Sequence, residues 1–502
     1  MRRVFSWLLV GLPAVLYLSY YPIIGLGASE SMNFELSVPL VWLVVFDVVG
    51  VVEVIRCQKV GVLARKWYFL LFPIFASLSI LWSSNMVRGM LTAGIMWAVV
   101  LAIYIIVGLR TEVDEVTWRW MRRVFIGATM VTCFWCILQC ILDVSGVGRG
   151  ETLMCAGCVS QMFGFPHPNG WAVEPQFIGN LLLAPAMLFM WWFVSKRGRE
   201  KAMSSVLFAF VVFSLFLTFS RGAIYAFLVG MACFSVAVLV ERWRTGWRRS
   251  LGYVCAAWGV IVVVFGVSLC TQGVMAEFGP TNETFSSAVA KAVNHLTLGV
   301  VDFRESRDVE GEGIVVEVDN TEGVEVVEKS VENSVDKPVE NIVEKSEDNR
   351  SEAVFDGYVE ESTEIRKEMT RNALTVWGSS AKNVAVGVGL GGAGEAMYAA
   401  GLTSSPKEIV QNQYASLLME TGVVGVILAV MMVIMVVRWV VRRGGEARWV
   451  VLSLMVAYGV SLVFFAGLPN ALQVYLMPVI VWAMCEKKPT RAKSAKEIVS
   501  GD

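Results

Sequence analysis

The sequence predicts an all-α, polytopic membrane protein, and three observations carry that reading. The chain has 502 residues, 56% hydrophobic and only 17% charged, with a mean hydropathy of +0.61. Soluble domains are about half apolar and a quarter charged. Its apolar residues gather into runs near the ~20 residues that a helix needs to cross a bilayer. Its Lys and Arg fall in short loops that alternate with loops nearly free of them, as the positive-inside rule expects.

Taken in order, the runs give about twelve spans, near 5–26, 37–55, 67–84, 89–108, 124–143, 172–194, 203–219, 222–240, 251–270, 417–437, 449–467 and 469–485. Basic residues at 2–3, 56–66, 110–123, 196–201, 242–249, 438–448 and 487–496 then share one side. That places both termini in the cytoplasm and the opposite loops outside. The chain divides into spans one to nine (1–270), a large outer loop (271–416), spans ten to twelve (417–485) and a basic cytoplasmic tail (486–502). Met1-Arg2-Arg3 precedes a run long enough to span and without a small-residue cleavage site, so it reads as an anchor. The net charge of -1 carries no message, because the two signs are segregated along the chain. Most of the 10 Cys fall in the spans as small buried hydrophobes; Cys155 and Cys158 form a C-x-x-C in a loop, suited to a local disulfide.

Within the large loop, residues 305–364 are acidic, aromatic-poor and quasi-repetitive, and read as a disordered insertion. Residues 363–379 read as a helix bearing Arg366, Arg371 and Trp377, followed by the glycine-rich Val386-Gly387-Val388-Gly389-Leu390-Gly391-Gly392. The glycines lack the Lys-Ser/Thr of a phosphate loop and any strand before them, which argues against a nucleotide site.

The sharpest feature is Arg221, the one charged residue in the apolar stretch 202–240, within Thr218-Phe219-Ser220-Arg221-Gly222-Ala223. The stretch is long enough for two spans, and Arg221 falls at their outer junction. A guanidinium cannot shed its proton, so an anion or water must lie beside it. The chain has two His. His167 stands in His167-Pro-Asn169-Gly-Trp-Ala-Val-Glu174-Pro, leading into the sixth span. Irregular backbone there must line protein or a cavity, which makes His167 and Glu174 candidates for a general base and Asn169 for substrate binding. The alternative is a loop anchored by Pro and Trp. Glu420, inside the tenth span, suits pairing with an Arg or a backbone group; Asp47 and Glu53 in the second span raise the question of an ion pathway.

Three segments together resemble the O-antigen ligase and polymerase family of membrane glycosyltransferases. They are Ser220-Arg221-Gly222, Arg371 with Trp377 and Val386-Gly387-Val388-Gly389, and Asn412 followed by Leu417-Leu418-Met419-Glu420-Thr421-Gly422. Ser79-Ile80-Leu81-Trp82-Ser83 is a weaker echo. The resemblance implies a GT-C-like helical fold and transfer of a glycan from undecaprenyl diphosphate to a saccharide or glycolipid acceptor. It implies no cofactor, metal or nucleotide sugar, and no nucleic-acid partner. Arg221 and Arg371 would hold the diphosphate, with Ser220, Gln411, Asn412 and Glu420 binding substrate. Ligases of the family carry His-Asn where this chain has Gln411-Asn412. Gln cannot take a proton, so His167 or Glu174 would supply the base. The rival reading is a transporter or flippase of envelope polysaccharide precursors, which would show inverted repeats and ionisable residues at mid-membrane.

Overall fold

The computed structural model describes residues 1–19, 22–25, 35–64, 66–147, 166–172, 174–241, 243–279, 284–297, 350–467 and 471–485. In chain order the helices are α1 (Arg2–Val15), α2 (Val38–Arg56), α3 (Val60–Ala64), α4 (Leu71–Leu78), α5 (Met86–Leu109), α6 (Glu115–Val144), α7 (Pro175–Ser195), α8 (Gly198–Leu217) and α9 (Arg221–Glu241). They continue as α10 (Trp243–Phe278), α11 (Phe285–Leu296), α12 (Arg350–Gly378), α13 (Ala381–Val386), α14 (Ala393–Ala399), α15 (Gln413–Arg443), α16 (Arg448–Ser461) and α17 (Leu472–Cys485). The fold is helical, with one exception among the described residues. A short antiparallel pair, β1 (Pro22–Gly25) and β2 (Glu35–Ser37), bridges α1 and α2.

Each of the twelve apolar runs contains helix, but the first, 5–26, is helical only to Leu18, and its Pro22–Gly25 segment is a strand. Among the described residues, eight helices are long and apolar enough to cross a membrane: α2, α5, α6, α7, α8, α9, α10 and α15. Among the same residues the shorter apolar helices are residues 67–82, α16 and α17. Their starts follow local capping rules. Asn85 accepts from the Arg88 amide at 3.0 Å to open α5, and Asp114 accepts from Thr117 at 2.9 Å to open α6. Pro175 opens α7, where its missing N–H costs nothing.

α7 is the central helix. It is apolar all round, and Leu181, Leu182, Leu183, Leu188 and Phe189 are wholly buried, as expected of a helix walled in by others. Lipid is as apolar as leucine, so burial alone does not hold such helices together; close packing at small residues does. Gly179 brings α7 against the start of α9, where a Cβ would stand 2.6 Å from Ala223 Cβ. Gly230 does the same for α9 and α16, with Ala457 Cβ at 2.8 Å.

The basic loops meet at one end of the bundle. Lys59 pairs with Glu112 at 2.9 Å, Arg122 donates to the Met484 carbonyl at 2.9 Å, and Arg448 pairs with Glu241 at 2.7 Å. The Lys59 hydrogen bond holds the Glu112 carboxyl below its ordinary range. Glu53 belongs to this end through Arg56 at 3.3 Å, whereas Asp47 is buried within α2. α9 ends here at Glu241, so Arg221 at its start lies about 30 Å away, at the opposite end.

Two expectations for the large loop change. Residues 305–349 of the acidic insertion, like Cys155 and Cys158, lie outside the described residues. Residues 350–364 are helical, because α12 starts at Arg350 rather than near 363; once its second half is packed, adding turns at the free end costs little. The glycine-rich segment is a packing device. Gly387 (φ 73°) lies against the backbone of α15 where that helix breaks at Gly422 (φ 63°), and a Cβ on either would come within 2.4 Å of the other segment's backbone. Gly389 and Gly391 wedge equally close to Ser83 and Gly89, while the Ser79 hydroxyl accepts from the Leu390 amide at 3.0 Å.

Candidate functional site

The site forms where α8 turns into α9. Thr218 ends α8 by donating its hydroxyl to the Leu215 carbonyl at 2.7 Å. The next residue, Phe219, has φ 52°, a left-handed conformation that costs a bulky residue about 1–3 kcal/mol. Its surroundings hold it there. The ring stacks with both His167 and His295, each 5.7 Å away between centroids, and the His295 imidazole hydrogen-bonds the Phe219 backbone. Ser220 then caps α9, its hydroxyl 3.5 Å from the Ala223 amide, and Arg221 is the first helical residue. Ser220 is therefore a cap.

Arg221 is only 7% exposed. One turn on, Tyr225 lies within reach of its charge, and the Tyr225 hydroxyl donates to the Leu296 carbonyl at the end of α11. That bond brings the second histidine over the site. His295 is held well below the usual imidazole range by burial first, then by the charge of Arg221, with His167 and Arg366 adding to it.

The last of these cations is the finding of the site. Arg366, on α12, donates Nε to Gln411 Oε1 at 2.9 Å, just before α15. Its charge also reaches Glu174 at the head of α7. Arg366 thus links the starts of α7 and α15 with the end of α11. Glu174 is exposed on one side, yet enough protein encloses it that desolvation raises its carboxyl above the ordinary range, with Arg366 pulling the other way. A carboxylate, two guanidinium groups and a helix N-terminus therefore face one region.

Several expected roles shift. Arg371 is exposed and stands five residues beyond Arg366, about 140° around the helix, on a different face. Arg366 shares its stripe with buried Ala373 and Val376, a helical spacing readable in the sequence that points it inward. His167 is buried, and desolvation lowers its pKa to about 3. Its ring stacks on Phe219, which gives it a structural contact at the junction. Asn169 is fully buried, its Oδ1 accepting from Gln139 Nε2 at 2.9 Å, so it ties the loop to α6. Asn412 caps α15, with its Oδ1 taking the Tyr414 and Ala415 amides at 3.0 and 3.2 Å. Glu420 accepts the Gly391 amide at 3.1 Å and so anchors the glycine-rich segment. Of the expected residues, Arg221, Glu174 and Gln411 gather at the site. Arg366, His295 and Tyr225 join them.

No family model matches the chain, and no curated protein matches it.

Proposed function

We propose that the chain is a metal-independent glycosyltransferase of the cytoplasmic membrane. It would move a glycan from a polyprenyl diphosphate, undecaprenyl diphosphate in bacteria, onto a saccharide or glycolipid acceptor at the outer face. Twelve spans in a GT-C-like arrangement, with both termini in the cytoplasm, complete the reading, since the basic loops lie at the end away from Arg221. The observation that carries it is Arg366 drawn toward the Arg221–His295 junction with Glu174 beside it. Two arginines and a helix N-terminus suit an anion bearing several oxygens, and a lipid diphosphate delivers one to a bundle end.

In the reaction an acceptor hydroxyl attacks the anomeric carbon. The bond from that carbon to the diphosphate oxygen breaks, and the electron pair leaves with the diphosphate. Arg221 and Arg366 stabilise the charge that develops on it. The acceptor proton passes to the Glu174 carboxylate, whose raised pKa makes it a better base than an ordinary Glu. Gln411 orients the acceptor or Arg366 but takes no proton, which favours a polymerase or polymer-transferring enzyme over a ligase.

The test is surface glycan in cells carrying Arg221→Lys, Arg366→Lys or Glu174→Gln at normal protein levels. Loss in all three is expected, and wild-type glycan in the two arginine variants would defeat the mechanism.

A further inference from the structure

Beside the start of α9, next to Arg221, lies a buried donor. Gln176, in the first turn of α7, is 8% exposed, and its Nε2 has no hydrogen-bond partner. A buried donor left unsatisfied is destabilising and calls for a partner. Its place is set by α9: a Cβ on Gly222 would stand 2.9 Å from Gln176 Nε2 and 2.9 Å from Phe464 Cβ. Any side chain at 222 would therefore displace the amide. Gly222 is the second residue of α9, so its own N–H has no acceptor within the helix. The α9 macrodipole puts its positive end at the same point.

We propose that Gln176 Nε2 and the Gly222 amide together hold a phosphate oxygen of the lipid-linked diphosphate, with Arg221 balancing its charge. The proposal rests on the diphosphate reading of the site and adds the residue that fixes the anion's position. A guanidinium supplies charge; a neutral amide locked by packing supplies direction. Its donor lies beside Gly222 at the start of α9, and an oxygen shared with the Gly222 amide would satisfy both. Gly222 acquires a reason to be glycine beyond helix packing, since a side chain there would displace the Gln176 amide.

The experiment measures binding of inorganic pyrophosphate and of farnesyl diphosphate to the full-length protein in nanodiscs, alongside its thermal unfolding. Gln176→Met keeps the volume and removes the donor. It should weaken both ligands about tenfold or more, as expected for a hydrogen bond to a charged group, while leaving the ligand-free melting temperature unchanged or higher. Gly222→Ala, a second route to the same loss, should weaken binding similarly. Tighter binding of farnesyl diphosphate than of pyrophosphate is expected for a lipid-linked ligand; the reverse order would overturn that part of the proposal. If Arg221→Ala and Arg366→Ala abolish binding but Gln176→Met and Gly222→Ala bind like wild type, Gln176 is not a ligand and the diphosphate reading stands. If the arginine variants also bind normally, both fall. A lower melting temperature with unaltered binding assigns Gln176 to packing and likewise overturns the proposal.

Discussion

Arg366 Nε and Gln411 Oε1 lie 2.9 Å apart, joining α12 to the segment just before α15 across 45 positions of sequence. The bond sets which arginine of α12 reaches the site. Arg366→Ala should abolish glycan transfer, and Arg371→Ala, on another face, should leave it within about twofold. Surface-glycan staining or an in vitro transfer assay decides between them; equal loss in both variants would return Arg371 to the site.

Glu174 yields a pH profile. A base works when deprotonated, so activity should fall as pH drops through its pKa, which lies above the ordinary 4.5. Removing the Arg366 charge, which pulls that pKa down, should move the acid limb to higher pH in any residual activity of Arg366→Gln. An unmoved limb would separate Glu174 from the chemistry.

The buried histidines couple stability to acid. His167 has a folded pKa of about 3 against 6.5 for a free imidazole, so below pH 6.5 the unfolded chain takes a proton that the folded chain refuses. Stability is complete above that pH and declines as pH falls from 6.5 toward 3. His167→Phe, which preserves the stack on Phe219, should melt with a flatter pH dependence in detergent over this window. Identical slopes for variant and wild type would show that His167 is not the titrating group.

Asn412 tests capping against substrate binding. Its side-chain oxygen takes two α15 amides, and loss of such a cap costs about 1 kcal/mol. Asn412→Asp should retain stability and activity, and Asn412→Ala should lower the melting temperature by a few degrees with transfer largely kept. Complete loss of transfer at full stability in Asn412→Ala would mean that the side chain contacts substrate.

Gly422 has φ 63°, and a Cβ would meet the Ala385 carbonyl at 2.4 Å. Gly422→Ala should cost more than about 2 kcal/mol, since strain and overlap combine. Reduced yield of folded protein checks it; a variant with wild-type melting would show that the α15 break is soft.

Composition, run length and the placement of Lys and Arg were enough for a helical membrane protein with apolar segments at the observed positions, because each depends on stretches of about 20 residues read one at a time. The cost of a lone guanidinium in an apolar stretch likewise singled out Arg221. Even Arg366 was legible in part, through its spacing from Ala373 and Val376. Only the tertiary structure decided what stands across from Arg221. His295 arrives from α11, Gln176 from α7 and Arg366 from α12, and their meeting depends on which helices face one another. The burial of His167 against Phe219, the Asn169–Gln139 bond and the Glu420–Gly391 bond are properties of neighbours distant in the chain, and no local pattern encodes them.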